Sequence, residues 1–450
     1  MPLGKRSDLE PRQKGIYWRA GASSSLVLLA LAASIFPAGA EGTNWEEQIR
    51  LLQQQNSLLQ EQLQKQNKSI DSLEKKVGDL EAAKGETAPA NGETPEKSGF
   101  NLGKVNVSGE GGLAFFNTGS QGFAPHSEFR VDEARLFVEA PVWKEVYFFG
   151  EADFATREDT DLNLNVGELY LDFEDVSQLW GRDGQLNFRI GRMNIPFGEE
   201  YLTRYAVDNA LITHSVSDLW GFDTGVEIYG GLGKFTYVAA VQNGSGKNGV
   251  QDFDGDKSVA GRIGFDPNHS LHFSVSGMRT GNLDAAGDFI SALWFGNGFF
   301  QSLGGPGTTK FHANLVEGDL TARWSRWLGG HITAFGGYAR YGDNDPAANN
   351  GRDIFYYSVE GVQNLPRKFY VATRFSEVLC ADGVPIMGLG NGDYFSSLTK
   401  DLWRLSLGAG YRFSDQLQLK LEYAIERGKT LSGESRDHED FLGTEATFKF

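Results

Sequence analysis

Sixteen stretches between residues 105 and 450 read as strands, and the connections between them alternate in length. That alternation of connections constrains the fold more than any single strand does. The stretches lie at about 105–118, 128–140, 145–156, 162–174, 186–197, 223–231, 234–243, 257–266, 271–280, 310–325, 331–342, 353–364, 368–378, 402–413, 417–428 and 440–450. In LQLKLEYAIE, Leu417, Leu419, Leu421, Tyr423 and Ile425 fall on one side, with Lys420, Glu422 and Glu426 on the other. In WRLSLGAGYRF, Trp403, Leu405, Leu407, Ala409, Tyr411 and Phe413 oppose Arg404, Ser406, Gly408, Gly410 and Arg412. A period of two is that of a strand whose faces meet different surroundings. The joints PVWK, GGLGK, DPNHS, WLGG, NLPR and FSDQ are tight, and 175–185 is a longer joint of the same parity. Between them lie long polar or glycine-rich stretches at 198–222, 244–256, 281–309, 343–352, 379–401 and 429–439. An even-numbered meander with turns at one end and loops at the other predicts an all-β chain, an antiparallel transmembrane β-barrel of about sixteen strands. A soluble secreted β protein is the rival. It would have to fold without detergent, against its outward Leu, Tyr and Phe.

The chain ends FLGTEATFKF, alternating up to Phe450. A terminus that frays in water gains nothing from phenylalanine. A closing strand in lipid would place it in the aromatic girdle at the periplasmic rim. Composition agrees: 57 Gly and 32 Phe accompany a hydrophobic content of 40% and a mean hydropathy of −0.36. A helical membrane protein is excluded, whereas a barrel looks nearly soluble because alternate residues face lipid. The single Cys380 excludes an internal disulfide and a cysteine-cluster metal site. It falls in a long connection with nothing to activate it. A net charge of −17 argues against a nucleic-acid partner.

Residues 1–40 read as an export signal. Lys5, Arg6, Arg12, Lys14 and Arg19 precede the uncharged AGASSSLVLLALAASIF, and Ala38 and Ala40 offer a cleavage site. An uncleaved anchor helix is the alternative, but the apolar run is short for a span. Cleavage leaves a net charge of −20. Residues 41–83 hold a heptad repeat, with Ile49, Asn56, Leu63, Ile70 and Val77 at a, and Leu52, Leu59, Gln66, Leu73 and Leu80 at d. That seam predicts a coiled coil and hence an oligomer, with a mild preference for two strands. Residues 84–100, KGETAPANGETPEKSGF, are a flexible linker. Residues 101–450 are the barrel domain.

LNFRIGRMNIPFGEEYLTRY (186–205), DTGVEIYG (223–230) and SVAGRIGFDP (258–267) resemble, in order and spacing, segments of the phosphate-selective porin O and P family. The resemblance covers most of residues 101–450. It implies a sixteen-stranded homotrimeric pore for small anions or general solutes and ions, surrounded by membrane lipid. The location it implies is the cell outer membrane of a Gram-negative-type bacterium, with the coiled coil in the periplasm and no cofactor. Trimeric barrels would demand a three-stranded coil. A structural rival is an envelope anchor, binding peptidoglycan through the coiled coil above a plugged barrel.

Counting strands from a periplasmic start makes 198–222 the third external loop, which the resemblance implies folds inward to narrow the channel. It carries Glu199, Glu200, Asp208 and Asp218 against Arg204, and its apolar Leu211, Ile212, Val216 and Leu219 would pin it to the wall. An ordinary surface loop is the alternative. Alternation turns Glu133, Arg135, Glu139, Glu151, Asp153, Glu168 and Asp172 inward from the early strands. It turns Arg262, Arg323, Arg340, Arg374, Arg404, Arg412 and Lys420 inward from the late ones, with some acids. Acids facing bases across a barrel would set up a transverse field; equally, mixed charges simply solvate a lumen. Late arginines suit a phosphate ladder, while the acid excess of residues 101–450 suits general diffusion. Asp252, Asp254 and Asp256 have a spacing that suits Ca²⁺, or an ordinary loop. His214 beside Ser215 lacks an oriented third member, so no enzyme is expected.

Overall fold

The computed structural model describes residues 105–157, 162, 164–244, 252, 255–285, 303–348 and 350–450. The export signal, coiled coil and linker lie outside the described residues, as does Asp254. The strands follow in chain order: β1 (Asn106–Thr118), β2 (Glu128–Trp143), β3 (Val146–Ala155), β4 (Asn165–Phe173), β5 (Asn187–Asn194) and β6 (Phe222–Leu232). Next come β7 (Phe235–Gln242), β8 (Ser258–Asn268), β9 (Leu271–Arg279), β10 (Leu283–Asp284), β11 (Lys310–Trp324) and β12 (Gly330–Asp343). The last are β13 (Arg352–Asn364), β14 (Phe369–Val384), β15 (Thr399–Ser414), β16 (Leu417–Thr430), β17 (Ser435–Arg436) and β18 (Phe441–Lys449).

The two-residue β10 and β17 ride on β11 and β16. The other sixteen pair antiparallel with their neighbours, β9 with β11 and β16 with β18, and β18 returns to β1 from Glu110↔Lys449 to Thr118↔Phe441. The result is a closed antiparallel sixteen-stranded barrel. Closure leaves no edge with unpaired backbone groups, which hydrocarbon would not tolerate. The sixteen strands fall where the sixteen stretches were read. β14 and β15 run further than expected into the connection at 379–401, so Cys380 is a buried residue of β14 rather than of a loop.

The two faces differ in chemistry. Ile263, Val275, Phe355, Val359, Leu419 and Leu421 are exposed on the outside. Phe375 there stacks 6.0 Å from Trp403, and Trp143, Trp180 and Trp327 ring the turn end. An apolar belt of this extent, with an aromatic rim, is a surface that hydrocarbon solvates. On β1 the outward Gly109 and Gly111 lie under the rings of Phe450 and Phe448; a Cβ at Gly109 would stand 2.7 Å from the Phe450 ring. Gly109 and Phe450 also exchange backbone hydrogen bonds of 2.9 and 3.2 Å. The terminal phenylalanine therefore seals the seam where the sheet closes.

The register shifts at several points, and one bulge bears on the lumen. The register between β1 and β2 shifts between Gly112 and Leu113, so that Asp132 is the bulged residue of β2. Asp132 and Glu133 are consequently both buried within the barrel, since a bulge places an extra residue and re-aims its neighbours. Val359 lies near the middle of β13 and faces outward. Val359→Arg should destabilise the barrel by about 2–4 kcal/mol, read by equilibrium unfolding from lipid vesicles.

Candidate functional site, an inward loop and the wall that holds it

β5 stops at Asn194 because Pro196 offers no ladder donor. The chain then loops through 195–221 and re-enters the sheet at β6, with Ile195 N–H donating to Gly221 O at 2.9 Å. The loop first binds itself. Glu200 accepts from Ser215 N–H (2.8 Å) and from the Ser215 hydroxyl (2.6 Å). Arg204 grips Asp218 through two bonds of 3.1 Å and lies 3.9 Å over the Trp220 ring. His214 Nε2 meets Arg204 O at 3.0 Å, and its Nδ1 faces Asp218 at 3.5 Å. His214 and Ser215 thus serve different partners.

The closed loop is held by strands on several sides of the barrel. Gly198 N–H donates to Ser276 Oγ of β9 (3.0 Å), and Arg262 of β8 donates to Gly198 O. Ala206 N–H donates to Glu133 of β2 (2.8 Å), and Tyr205 O–H to Glu151 of β3 (3.1 Å). From the β14–β16 wall, Glu422 accepts from Ile212 N–H and Thr213 N–H at 2.5 and 2.8 Å. Arg374 donates to Thr213 O (2.6 Å), Arg404 to His214 O (2.9 Å), and Lys420 to Ala206 O. Val216 N–H donates to Ser376 Oγ at 3.0 Å. Partners on β2, β3, β8, β9, β14, β15 and β16 put the loop inside the barrel, not over its mouth. Buried backbone groups must be paired, and inward wall side chains do the pairing.

Apolar contacts complete the clamp. Val216 and Leu219 join a cluster with Ala313, Tyr341, Ile354, Tyr356 and Val378. Ile212 packs with Phe116, Leu389 and Phe441, and Leu211 with Val362, Tyr370 and Ala372. Leu211 rests on Gly408 of β15, where any Cβ would strike its Cδ2.

Of the loop's charges, Glu199 lies 2.8 Å from His272 Nε2 and 3.6 Å from Arg262. Burial raises its carboxyl, but His272 and Arg262 prevail and hold it below its usual value. Burial likewise raises Asp218, and Arg204 and His214 outweigh it, keeping the carboxyl far below the carboxylate range. Asp208 is half-buried in the loop.

On the wall, Arg135 sits among Glu110, Glu133, Glu151 and Asp153 at 3.1–3.7 Å. Arg374 pairs with Glu360 (2.5 Å), Arg404 with Glu426 (2.7 Å) and Lys420 with Glu445 (3.4 Å). Arg412 donates to Asn364 at 2.7 Å over the Tyr370 ring, and Arg323 is exposed near the turn end. Arg340 was expected inside and is outside: its cross-strand neighbour Asp353 is exposed, 3.9 Å away. In AFGGYARY both faces carry an aromatic ring, so alternation could not orient the strand. Near the strand end a long arginine reaches the polar interface. Of the two readings of the lumen charges, mixed signs hold and a separation of acids from bases does not. Glu317, Asp319, Glu360, Glu422, Glu426 and Glu445 are inward on late strands, and Arg157 and Arg189 are inward early. Charges are paired locally around the wall.

Other residues were not anticipated. Arg436 and Glu439 are fully buried; Arg436 binds Glu439 (2.9 Å), Ile386 O (2.8 Å) and Thr399 (2.9 Å), under the Tyr394 ring. That knot joins the connections 385–398 and 431–440. Their i,i+3 spacing was the available signal. Asp252 pairs with Lys257, and Asp256 with Arg279 at 3.0 Å.

No protein-family model matches this sequence, and no curated protein does. Among solved structures, the outer membrane channel DcaP of Acinetobacter baumannii is similar, with TM-score 0.52 and 15% identity over 77% of this chain and 97% of that one. In-vitro folded OmpT, an outer membrane protein of Vibrio cholerae, is similar with TM-score 0.50 and 13% identity over 77% of this chain and 97% of its own. At such identities the likeness is one of fold: a porin-type barrel.

Glu422→Leu removes the acceptor of two buried N–H groups. Hydrogen exchange of residues 209–216 should rise at least about tenfold while strand amides stay protected. Ionised Asp218 contributes stability above its unfolded value near 3.8, lost only as pH falls through its lower folded value. Fluorescence of Trp220, read as the difference from Trp220→Phe, should therefore stay constant from neutral pH to about pH 4 and change only in stronger acid.

Proposed function

We propose that the chain is an outer-membrane porin, whose barrel encloses a water-filled channel for passive diffusion of small hydrophilic solutes and ions. The observation that carries this reading is the 195–221 loop, folded inside the barrel and bound to it through Glu133, Arg262, Arg374, Arg404, Lys420 and Glu422. A loop fixed at mid-wall narrows a channel without closing the mouth. Glu199, Glu200, Arg204, Asp208 and Asp218 are then the constriction charges. Arg135, Glu151, Asp153, Arg262, Arg323, Arg374, Arg404, Arg412 and Lys420 belong to the lumen wall.

Phosphate preference is the weaker part of the family resemblance. A phosphate ladder needs guanidinium donors turned toward the solute. Here Arg374 and Arg404 spend donors on loop carbonyls and on Glu360 and Glu426. General diffusion without anion preference fits that arrangement better. A homotrimer that includes a three-stranded periplasmic coiled coil remains the proposed assembly, with peptidoglycan as the coil's proposed partner.

Purified, detergent-folded protein in a planar bilayer under a KCl gradient tests this. Stepwise conductance is expected, with a cation-directed or near-zero reversal potential that millimolar phosphate does not alter. An anion-directed potential with phosphate block would restore the ladder, and silence would refute the pore.

A further inference from the structure

The wall of β2–β6, on the turn side of the loop, carries a row of inward rings that clamping the loop does not require. Phe137 of β2 stacks with Phe149 of β3, centroids 6.1 Å apart and planes at 28°. Phe149 stacks with Tyr170 of β4 at 5.3 Å and 22°. The Arg189 guanidinium of β5 then lies 5.1 Å over Tyr170 and 4.2 Å over Tyr229 of β6. At the upper end Arg135, two residues from Phe137, lies 3.8 Å over the ring of Tyr205 from the loop. Phe137, Phe149 and Tyr170 are half-buried, so part of each ring faces the lumen.

Carboxylates outnumber the cations along this row. Arg135 faces Glu110, Glu133, Glu151 and Asp153, and Arg189 faces Asp172 (2.9 Å) and Glu227 (3.1 Å). Glu139 stands opposite Phe149. The chain thus displays what its own wall accepts: a guanidinium flat on a ring, bracketed by acids. Ring faces attract cations through their quadrupole, and neighbouring carboxylates accept charge-assisted hydrogen bonds from such donors. Anions find the opposite.

We propose that this aromatic and carboxylate row is a binding site for small organic cations bearing a guanidinium or primary amine, met below the constriction. The site deepens the porin reading, which supplies its access, but binding itself needs no conduction.

Isothermal titration of the detergent-folded chain with L-arginine amide tests it, with glucose and inorganic phosphate as neutral and anionic probes. Wild-type protein should bind arginine amide and neither control. Phe149→Leu combined with Tyr170→Leu should weaken binding at least tenfold, while Tyr170→Phe, which keeps the ring, retains it. Should the double variant fail to fold, Tyr170→Leu against Tyr170→Phe makes the same comparison. Unchanged affinity in the leucine variants, glucose binding that depends on the same rings, or no binding at millimolar arginine amide would overturn the proposal. In bilayers, KCl conductance without arginine-amide block would contradict the site and leave the pore reading standing. Absence of conductance would refute the pore and leave the titration to decide the site.

Discussion

A backbone amide held away from water has to be paired, and this molecule meets that requirement on two levels. The first is the sheet, where sixteen strands close through β1 and β18 and leave no unpaired edge. The second is the 195–221 loop, which carries irregular backbone into the barrel and so brings amides and carbonyls that no strand neighbour can satisfy. Inward side chains take the place of a ladder. Glu133 and Glu422 accept from N–H groups, and Arg262, Arg374, Arg404 and Lys420 donate to carbonyls. Glu133, Arg262, Arg374, Arg404 and Lys420 are each also paired with an opposite charge, as Arg404 is with Glu426, and Glu422 takes a third donor from the Thr213 hydroxyl. A lone buried ion would cost more than the bonds it made.

That second level divides the lumen wall by task. The stretch from β11 to β14 presents Ala313, Leu315, Tyr341, Ile354, Tyr356 and Val378 inward, and Val216 and Leu219 of the loop pack upon them. This side is filled and largely withdrawn from solute. The stretch from β2 to β6 keeps ionised groups and half-buried rings toward the lumen. A solute passing the loop therefore meets one wall more than the other, and the chemistry of that wall is acidic and aromatic rather than basic.

How much of this was legible depends on the distance over which each signal acts. Strand positions were legible because alternation repeats within ten residues and connection lengths keep a strict parity. The loop's anchors Leu211, Ile212, Val216 and Leu219 stood out as apolar residues in a polar connection. Glu422 could be placed on the inner face but not assigned its partners, since Ile212 lies some two hundred residues away and no local pattern links them. Asp132 was missed because a one-residue bulge is invisible to a period of two. Arg340 went to the wrong face because glycines and tyrosines on both sides erased the contrast that alternation needs. The role of Arg262, Arg374 and Arg404 as loop holders rather than as a free ladder emerges only once the loop occupies the lumen.

The loop and the aromatic row also meet at one point, which ties the two halves of the wall together. Tyr205 lays its ring on Arg135 and donates its hydroxyl to Glu151, while its neighbour Ala206 donates to Glu133 and accepts from Lys420, which stands beyond β1 and β18 on the far side of the seam. Two adjacent loop residues thus bridge β2 and β3 to β16. Shifting the loop on its β14–β16 clamp would drag Tyr205 off Arg135 and re-expose a guanidinium that four carboxylates now surround. The holding wall consequently sets the charge that the open wall presents, even though the two share no strand. Because the link runs through several side-chain hydrogen bonds made at once to β2, β3 and β16, the loop is better described as a strut than as a lid.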